Sequence, residues 1–474
     1  LADLRDRVQR GDFVPRQRKP VELDRRMINL KAQVNIAKAK YDRGVDKWKR
    51  ENATATEKAW WIAADVIGTL RLFVGGDVSF LLRQGRLILS GHPMMGVRAA
   101  QRTAASFLSK QWAQEVWAET QASPHHGSAL GAGLEFMSLD PESVAPERRP
   151  ETMIAVWPRK IPVAGQVYAA GQRGFAAAHN YMIQSMWDLH AEQDAKANRT
   201  LTPKEARSRA RWIMTLVGRP KLRGATANRA VTAAGAMLFA PRLYLSQLLS
   251  PLHMLRVASR NAETRRQALE TGRMFGIFFG TGLLANLLWQ AMNPDDEEAT
   301  EWDLRSSDAL KLRSGNTRFD IWAGYQQPMR TLAQLVTEER KDAAGRIHNA
   351  DRSETLMRFF SSKRNPALSL LVDLMRGETE MGEPLFAPPE GKAGEVMTQM
   401  GLPPEAQGAL GEAYRRFAFL WVQGAIEGAK ESGLGAGIAA GLFEWAGGGS
   451  VSYPESAYIA REKLQDRLAV EQYG

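Results

Sequence analysis

Apolar residues recur along most of the chain at steps of three and four, the spacing that gathers them on one face of an α-helix. Met27, Leu30, Val34, Ala37 and Tyr41 make such a stripe and predict a helix from about Val21 to Arg50, after a shorter one broken by Pro15 and Pro20. From Thr56 to Ser90 the apolar residues are dense: Trp60, Trp61, Ile62, Val66, Ile67 and Leu70 precede a turn at Gly75-Gly76-Asp77, and the pattern resumes from Val78 to Leu89. Gly91-His92-Pro93 stops that helix. A further helix is expected over about Met94–Thr120, with Phe107, Trp112, Val116 and Trp117 inward. Ala122–Gly133 reads as a loop, and Pro141, Pro146, Pro150, Pro158 and Pro162 make the next segment an extended connection.

Helix resumes at about Gly165 and runs to Asn198. Thr202-Pro203-Lys204-Glu205 then has the residue order of a helix start, with Thr202 as N-cap, Pro203 in the first turn and Glu205 closing a capping box. Ala230–Leu255 is apolar and interrupted by Pro241-Arg242 and Pro251. Met274–Pro294, MFGIFFGTGLLANLLWQAMNP, holds no charged residue; Arg273 closes one side and Asp295-Asp296-Glu297-Glu298 the other. Beyond it, Arg313–Arg318 reads as a turn and Phe319–Val336 as amphipathic helix. Leu356–Phe360 and Leu368–Met375 read as short helices divided by Pro366. Gly382–Pro389 is a proline-rich loop, Pro403–Ala429 helical, and Gly433–Gly449 glycine-rich with Glu444 in its middle. Alternating β-branched runs are almost absent. The expected fold is all-α: an extended multi-helix assembly of long and short helices, with little or no β and proline- and glycine-rich connections. Its expected parts are a charged helical arm (1–55), a helical domain (56–122), a proline-rich linker (123–163), basic then apolar helices (164–300) and a C-terminal helical domain (301–474).

Composition adds two constraints. The 474 residues include no cysteine, which excludes a disulfide framework, thiol catalysis and thiolate metal sites. The net charge is +11 and the sequence pI about 9.8, a balance that favours polyanionic partners, nucleic acid or anionic lipid. Leu1 at the start, with no apolar signal segment behind it, predicts no signal peptide and a piece of a longer polypeptide.

Enzyme signatures are missing: there is no GxxxxGK[ST], HExxH, GxSxG or strand-bound GxGxxG. His125 and His126 sit in the expected loop without a third ligand at metal spacing, the nearest carboxylates being Glu115 and Glu135. Asp295–Glu298 with Glu301 and Asp303 reads as a solvated helix exit, and Glu383 stands alone. No catalytic residue, cofactor or metal is predicted. Between Lys196 and Arg229 ten Lys or Arg face a single acidic residue, Glu205. Arg207, Arg209, Arg211, Arg219, Lys221 and Arg223 with Trp212 are therefore candidates for contact with a nucleic-acid backbone, blind to sequence; a solvated helix face is the plainer alternative.

About 20 apolar residues is what a helix needs to cross a hydrocarbon core, and the charge-free segment has that length. Its candidate contact residues are Phe275, Gly276, Phe278, Phe279, Gly280, Leu283, Leu284, Leu287, Leu288 and Trp289. Gly276, Gly280 and Gly282 fit this reading, and the GIFFG run makes a small-xxx-small pattern that permits close helix approach in lipid. Three readings stay open: a membrane-inserting helix, a central buried helix of a large helical assembly, and a subunit-contact helix. The Gly433–Gly449 segment is a second candidate for lipid contact, with Glu444 against its spanning.

The order of short motifs then becomes informative. Ala240-Pro241-Arg242 follows an apolar tract, the charge-free helix ends near Asn293-Pro294, and Ser314-Gly315-Asn316-Thr317-Arg318-Phe319-Asp320-Ile321-Trp322-Ala323-Gly324 comes next. Arg358-Phe359-Phe360, Lys363, Asn365-Pro366, Asp373-Leu374 and Gly382-Glu383-Pro384 complete the series; Val163–Leu189 with Arg173-Gly174-Phe175 precedes it. Over about residues 90 to 455 this resembles the C-terminal part of the very large virion-associated proteins of tailed phages, often described as large polyvalent proteins, which include internal ejection proteins. The resemblance implies a protein packaged in the virion, in the capsid interior or at the portal and tail. It would be ejected ahead of the genome and would assemble with copies of itself and other virion proteins into a channel across the host envelope, around nonspecifically bound DNA and in contact with membrane. Alternatives are a nucleic-acid-binding virion protein without a membrane role, and an injected enzyme whose active site lies outside this segment.

Overall fold

The computed structural model describes residues 83–139, 164–222, 240–294, 299–342, 345–364, 424–429, 433–445 and 448–453, with scattered positions elsewhere. The dense apolar tract up to residue 82, the proline-rich connection over 140–163 and the Gly382–Pro389 loop lie outside them. The described chain is mostly helical, with five short strands.

Helix α1 (Arg86–Gly91) stops at His92, and Pro93 opens α2 (Pro93–Leu108), where its missing N–H would have had no intrahelical partner. The single helix expected over Met94–Thr120 is two. Ser109 turns extended and its hydroxyl accepts from the Trp112 amide at 3.3 Å, capping α3 (Lys110–Ala122). The break also turns Trp112 outward, 48% exposed, so it is not the core residue the stripe predicts. The expected loop after α3 contains a short helix, α4 (His126–Gly131).

Helix α5 (Ala164–Lys196) falls within two residues of its expected ends and packs along α2 and α3. Small residues let the backbones approach: a Cβ on Gly174 would sit 3.2 Å from the Thr103 carbonyl oxygen of α2. One residue earlier, Arg173 donates to the carbonyls of Ser106 and Phe107, satisfying the last turn of α2. Helix α6 (Pro203–Leu216) starts on the predicted capping box, with Glu205 N–H to Thr202 Oγ1 at 3.3 Å and Thr202 N–H to Glu205 Oε2 at 3.0 Å. Next come α7 (Pro241–Leu252), a 3₁₀ turn (Met254–Ala258) and α8 (Ala262–Met292), whose N-cap Asn261 accepts from the Thr264 amide at 2.9 Å.

The segment expected to be a turn over Arg313–Arg318 is a hairpin. Strand β1 (Leu312–Ser314) pairs antiparallel with β2 (Thr317–Asp320) around Gly315-Asn316, and Gly315 takes a φ of 55°. The amphipathic helix begins only after this strand, as α9 (Gln326–Thr337). A second hairpin, β3 (Glu339–Lys341) and β4 (Ile347–Asn349), leads to α10 (Arg352–Ser361). The glycine-rich segment forms α11 (Leu434–Trp445), and β5 (Gly449–Ser452) adds to β2, giving the sheet order β1-β2-β5.

One hydrophobic cluster runs from Leu87 to Tyr325 and takes residues from α1 to α6, α8 and the loops before α9. Its aromatic centre is Phe275 and Phe278 of α8 against Trp322 and Tyr325. Gly282 is where α8 meets Trp322: a Cβ there would lie 2.7 Å from the indole ring, whereas one on Gly280 meets nothing within 4 Å. Gly282→Ala is therefore expected to cost about 1–3 kcal/mol through overpacking. Gly280→Ala should stabilise by up to about 1 kcal/mol through helix propensity. Thermal melts of the two variants check this, and equal effects of the same sign would contradict the assignment of faces.

Candidate functional site

Helix α8 has two unlike faces. Glu263, Gln267, Thr271, Phe275, Phe278, Gly282 and Asn286 follow at steps of three and four and are all buried. Around the other side Gly276, Ile277, Gly280, Leu283, Leu284, Leu287, Leu288 and Met292 are exposed. Exposure of the leucines runs from 40% at Leu283 to 57% at Leu287. A surface helix of a water-soluble protein carries polar residues outward and apolar ones inward. The upper half of α8 reverses that order on its outer side, while its inner stripe holds four polar residues.

The inner face is fixed at both ends. At the N-terminal end the Arg209 guanidinium of α6 grips Glu263 with Nε–Oε1 and Nη2–Oε2 distances of 2.8 Å each. It also reaches Asp194 of α5 at 2.6 Å. Arg199 pairs with Glu263 at 3.0 Å and Arg266 with Asp194 at 2.8 Å, so the buried acids are matched from several sides. Burial alone would raise the Glu263 carboxyl. The hydrogen bonds and charge of Arg209, with Gln267 and Arg199, hold it instead at about 2. One turn on, Trp212 Nε1 donates to Thr271 Oγ1 at 2.9 Å. At the C-terminal end Asn286 Nδ2 and Trp322 Nε1 both donate to the Leu310 carbonyl, at 3.1 and 2.7 Å, and Trp289 Nε1 donates to the Arg313 carbonyl at 2.7 Å.

This geometry divides the residues singled out from the sequence. Arg209 and Trp212 are fully buried and are corrected from surface candidates to structural ones: the charge of one is spent on Glu263 and Asp194, and the indole of the other packs on His190. Arg207 is exposed on α6, Arg211 and Arg219 are half-buried, and Arg223 lies outside the described residues. Lys221 donates to the Gly133 carbonyl at 2.9 Å and pairs with Glu135 at 2.7 Å. Arg211 and Lys221 do come together, with Lys204 and Arg256, along an open cleft of about 730 Å³ between α6, the 3₁₀ turn and the start of α8. Of the charge-free segment, Phe275 and Phe278 point inward, Phe279 and Trp289 are half-buried, and Gly276, Gly280, Leu283, Leu284, Leu287 and Leu288 are open. Only 28% of its most apolar 18-residue window is buried, so α8 is not enclosed by this chain's own described core.

Several of the other sequence candidates have structural partners, while Asp295, Glu297, Glu298 and Glu383 lie outside the described residues. His126 Nδ1 meets Gln184 Oε1 at 2.8 Å, and its ring packs on Trp117 and Phe136. Asp296 of the acidic exit pairs with Arg313 at 3.3 Å, and Glu301 with Lys341 at 2.6 Å. Glu444 accepts from Ser450, and burial pushes its carboxyl up to about 6. Among the described residues no three His, Asp or Glu side chains gather as metal ligands. Asp194 and Glu263, which set the orientation of α8 with Trp322, belong to no motif that composition or charge picks out; the polar stripe Glu263-Gln267-Thr271, in phase with Phe275 and Phe278, is the sequence signal for the inner face of α8, and none points to Asp194. No known protein family, curated protein or solved structure matches the chain.

Glu263→Gln leaves the buried Arg209 with Asp194 as its remaining carboxylate among the described residues, at an expected cost of about 3 kcal/mol. Because the folded carboxyl titrates at about 2 against an ordinary 4.5, its stabilisation is complete above about pH 4.5 and is lost as pH falls towards 2. Melting temperatures of wild type and Glu263→Gln between pH 6 and 2 should converge across that window. A gap that stays constant down to pH 2 would contradict the pairing.

Proposed function

We propose that the chain is a structural protein of the phage ejection type: stored in the virion, released ahead of the genome, and seated on the host membrane through the outer face of α8. The observation that carries this reading is the reversed polarity of that helix, leucines outward over a polar and aromatic inner stripe. A helix of this kind suits hydrocarbon surroundings better than water, since lipid accepts the leucines and the protein satisfies the polar groups. Gly276 and Gly280 lie one turn apart on the open side, and a Cβ at either would meet nothing within 4 Å, so together they supply a small-residue seam. Through it copies of the chain would pack closely within the bilayer, as a translocation channel requires. The resemblance in motif order supplies the setting of virion and envelope, and the reversed helix supplies the membrane contact.

A nucleic-acid-binding role without membrane contact has less support, because Arg209 and Trp212 are inside. The cations that line the cleft, Lys204, Arg211, Lys221 and Arg256, support a sequence-blind polyanion contact alongside the membrane role.

Flotation with liposomes tests the reading. Wild type should rise with the vesicles. Leu284→Arg, at a position 54% exposed and so harmless to the fold, should stay behind. An arginine near the helix centre costs roughly 2.5–3.5 kcal/mol on insertion, on the order of a 100-fold loss of partitioning. Wild type remaining in the soluble fraction as fully as Leu284→Arg would overturn the membrane role.

A further inference from the structure

Away from α8, helix α9, strand β3 and helix α10 meet around a cavity of about 250 Å³. Three guanidinium groups come to it from three elements: Arg330 of α9, Arg340 of β3 and Arg358 of α10, with Lys341 beside them. Ser307, Thr331 and Thr355 add hydroxyl groups to the lining. Asp342 is the one carboxylate among the described lining residues, and it already accepts from the Arg346 amide at 2.9 Å and from His348 Nε2 at 2.8 Å.

The cations are unequally matched. Lys341 is held by Glu301 at 2.6 Å and Arg358 by Glu354 at 2.5 Å. Arg340 has no ion-pair partner among the described residues, and Arg330 Nε is buried without a hydrogen-bond acceptor. Behind the cavity Lys363 is buried, with its ammonium 4.4 Å from the Tyr244 ring centre and 5.4 Å from that of Phe359, a residue of the lining. Burial and the neighbouring Arg330 charge pull the Lys363 ammonium down to about 8.

Gathering like charges in a half-dry site is costly where a guanidinium is incompletely matched, as at Arg330 Nε, and an anion supplied from outside relieves the cost. A guanidinium fork matches pairs of phosphate oxygens, and three forks on three walls suit linked phosphates better than a single one. The volume lies below the roughly 300–1,000 Å³ of sites that enclose a drug-sized ligand, which limits the enclosed part to a small group. We propose that this cavity binds a pyrophosphate or triphosphate group, either free or as the tail of a nucleotide, with Arg330, Arg340 and Arg358 as its ligands.

Isothermal titration of the whole 474-residue chain with inorganic triphosphate, ATP and orthophosphate tests it. Triphosphate and ATP should each bind one to one, and orthophosphate at least tenfold more weakly. Equal affinity for the first two assigns the site to a free polyphosphate or any tail, and a tenfold preference for ATP assigns it to a nucleotide; both support the proposal. Arg340→Ala should weaken triphosphate at least tenfold without moving the melting temperature of the unliganded chain, because Arg340 holds no structural partner among the described residues. Arg330→Gln should do the same, and if it fails to fold, Arg340→Ala still decides. The proposal is overturned by absence of binding or by affinity unchanged in Arg340→Ala. It is overturned equally by a short single-stranded oligonucleotide that binds more tightly than triphosphate and depends on Arg340, since the site would then belong to a polymer backbone.

Discussion

A buried charge must be matched where it lies, and in this protein that requirement sets the rotation of a helix. The Arg209 guanidinium is fully buried, so Glu263 and Asp194 have to reach it, and the three side chains tie α5, α6 and α8 together. Once Glu263 is committed inward, the 3.6-residue repeat carries Gln267, Thr271, Phe278 and Asn286 inward too. Leu283, Leu284, Leu287 and Leu288 are left on the outside as a consequence of that phase. Their exposure is therefore imposed by the polar seam and does not reflect loose packing.

The far end of the helix repeats the constraint with neutral groups. Trp322, Asn286 and Trp289 attach α8 to the backbone around Leu310 and Arg313, and the indole of Trp322 occupies the space that Gly282 leaves open. Neither end can rotate without stranding buried donors, each worth about 1–3 kcal/mol when unpaired. Full burial of a leucine gains about 1.5–3 kcal/mol, so four half-exposed leucines hold several kcal/mol in reserve for whatever covers them. A bilayer or the same face of a second copy would draw on that reserve without unfolding anything.

Much of the helical framework was legible in the sequence, because it rests on local rules. The capping box at Thr202 and Glu205, the limits of α5 and the proline stop at His92-Pro93 all follow from residues adjacent in the chain. The hairpin over 312–320 was not, since its strands of three and four residues are too short to show alternation. Trp112 misled because a helix cap at Ser109 reset the phase of the stripe. Composition groups Arg207, Arg209 and Arg211, yet residues four apart share a helix face and the one between them lies opposite; Arg209 is buried while Arg207 is exposed. That was readable from spacing. The cavity of Arg330, Arg340 and Arg358 was not, since only tertiary packing joins its three walls.

The proposed contact of α8 with lipid is open to a direct reading because the sequence has no cysteine of its own. A single cysteine at Leu287, carrying a nitroxide, reports whether its surroundings admit oxygen or a water-soluble nickel chelate. The account predicts that adding anionic liposomes makes this position accessible to oxygen and protected from nickel, while a label at the exposed polar position Arg207 stays open to nickel. A Leu287 label that remains as accessible to nickel with liposomes as without them would contradict it.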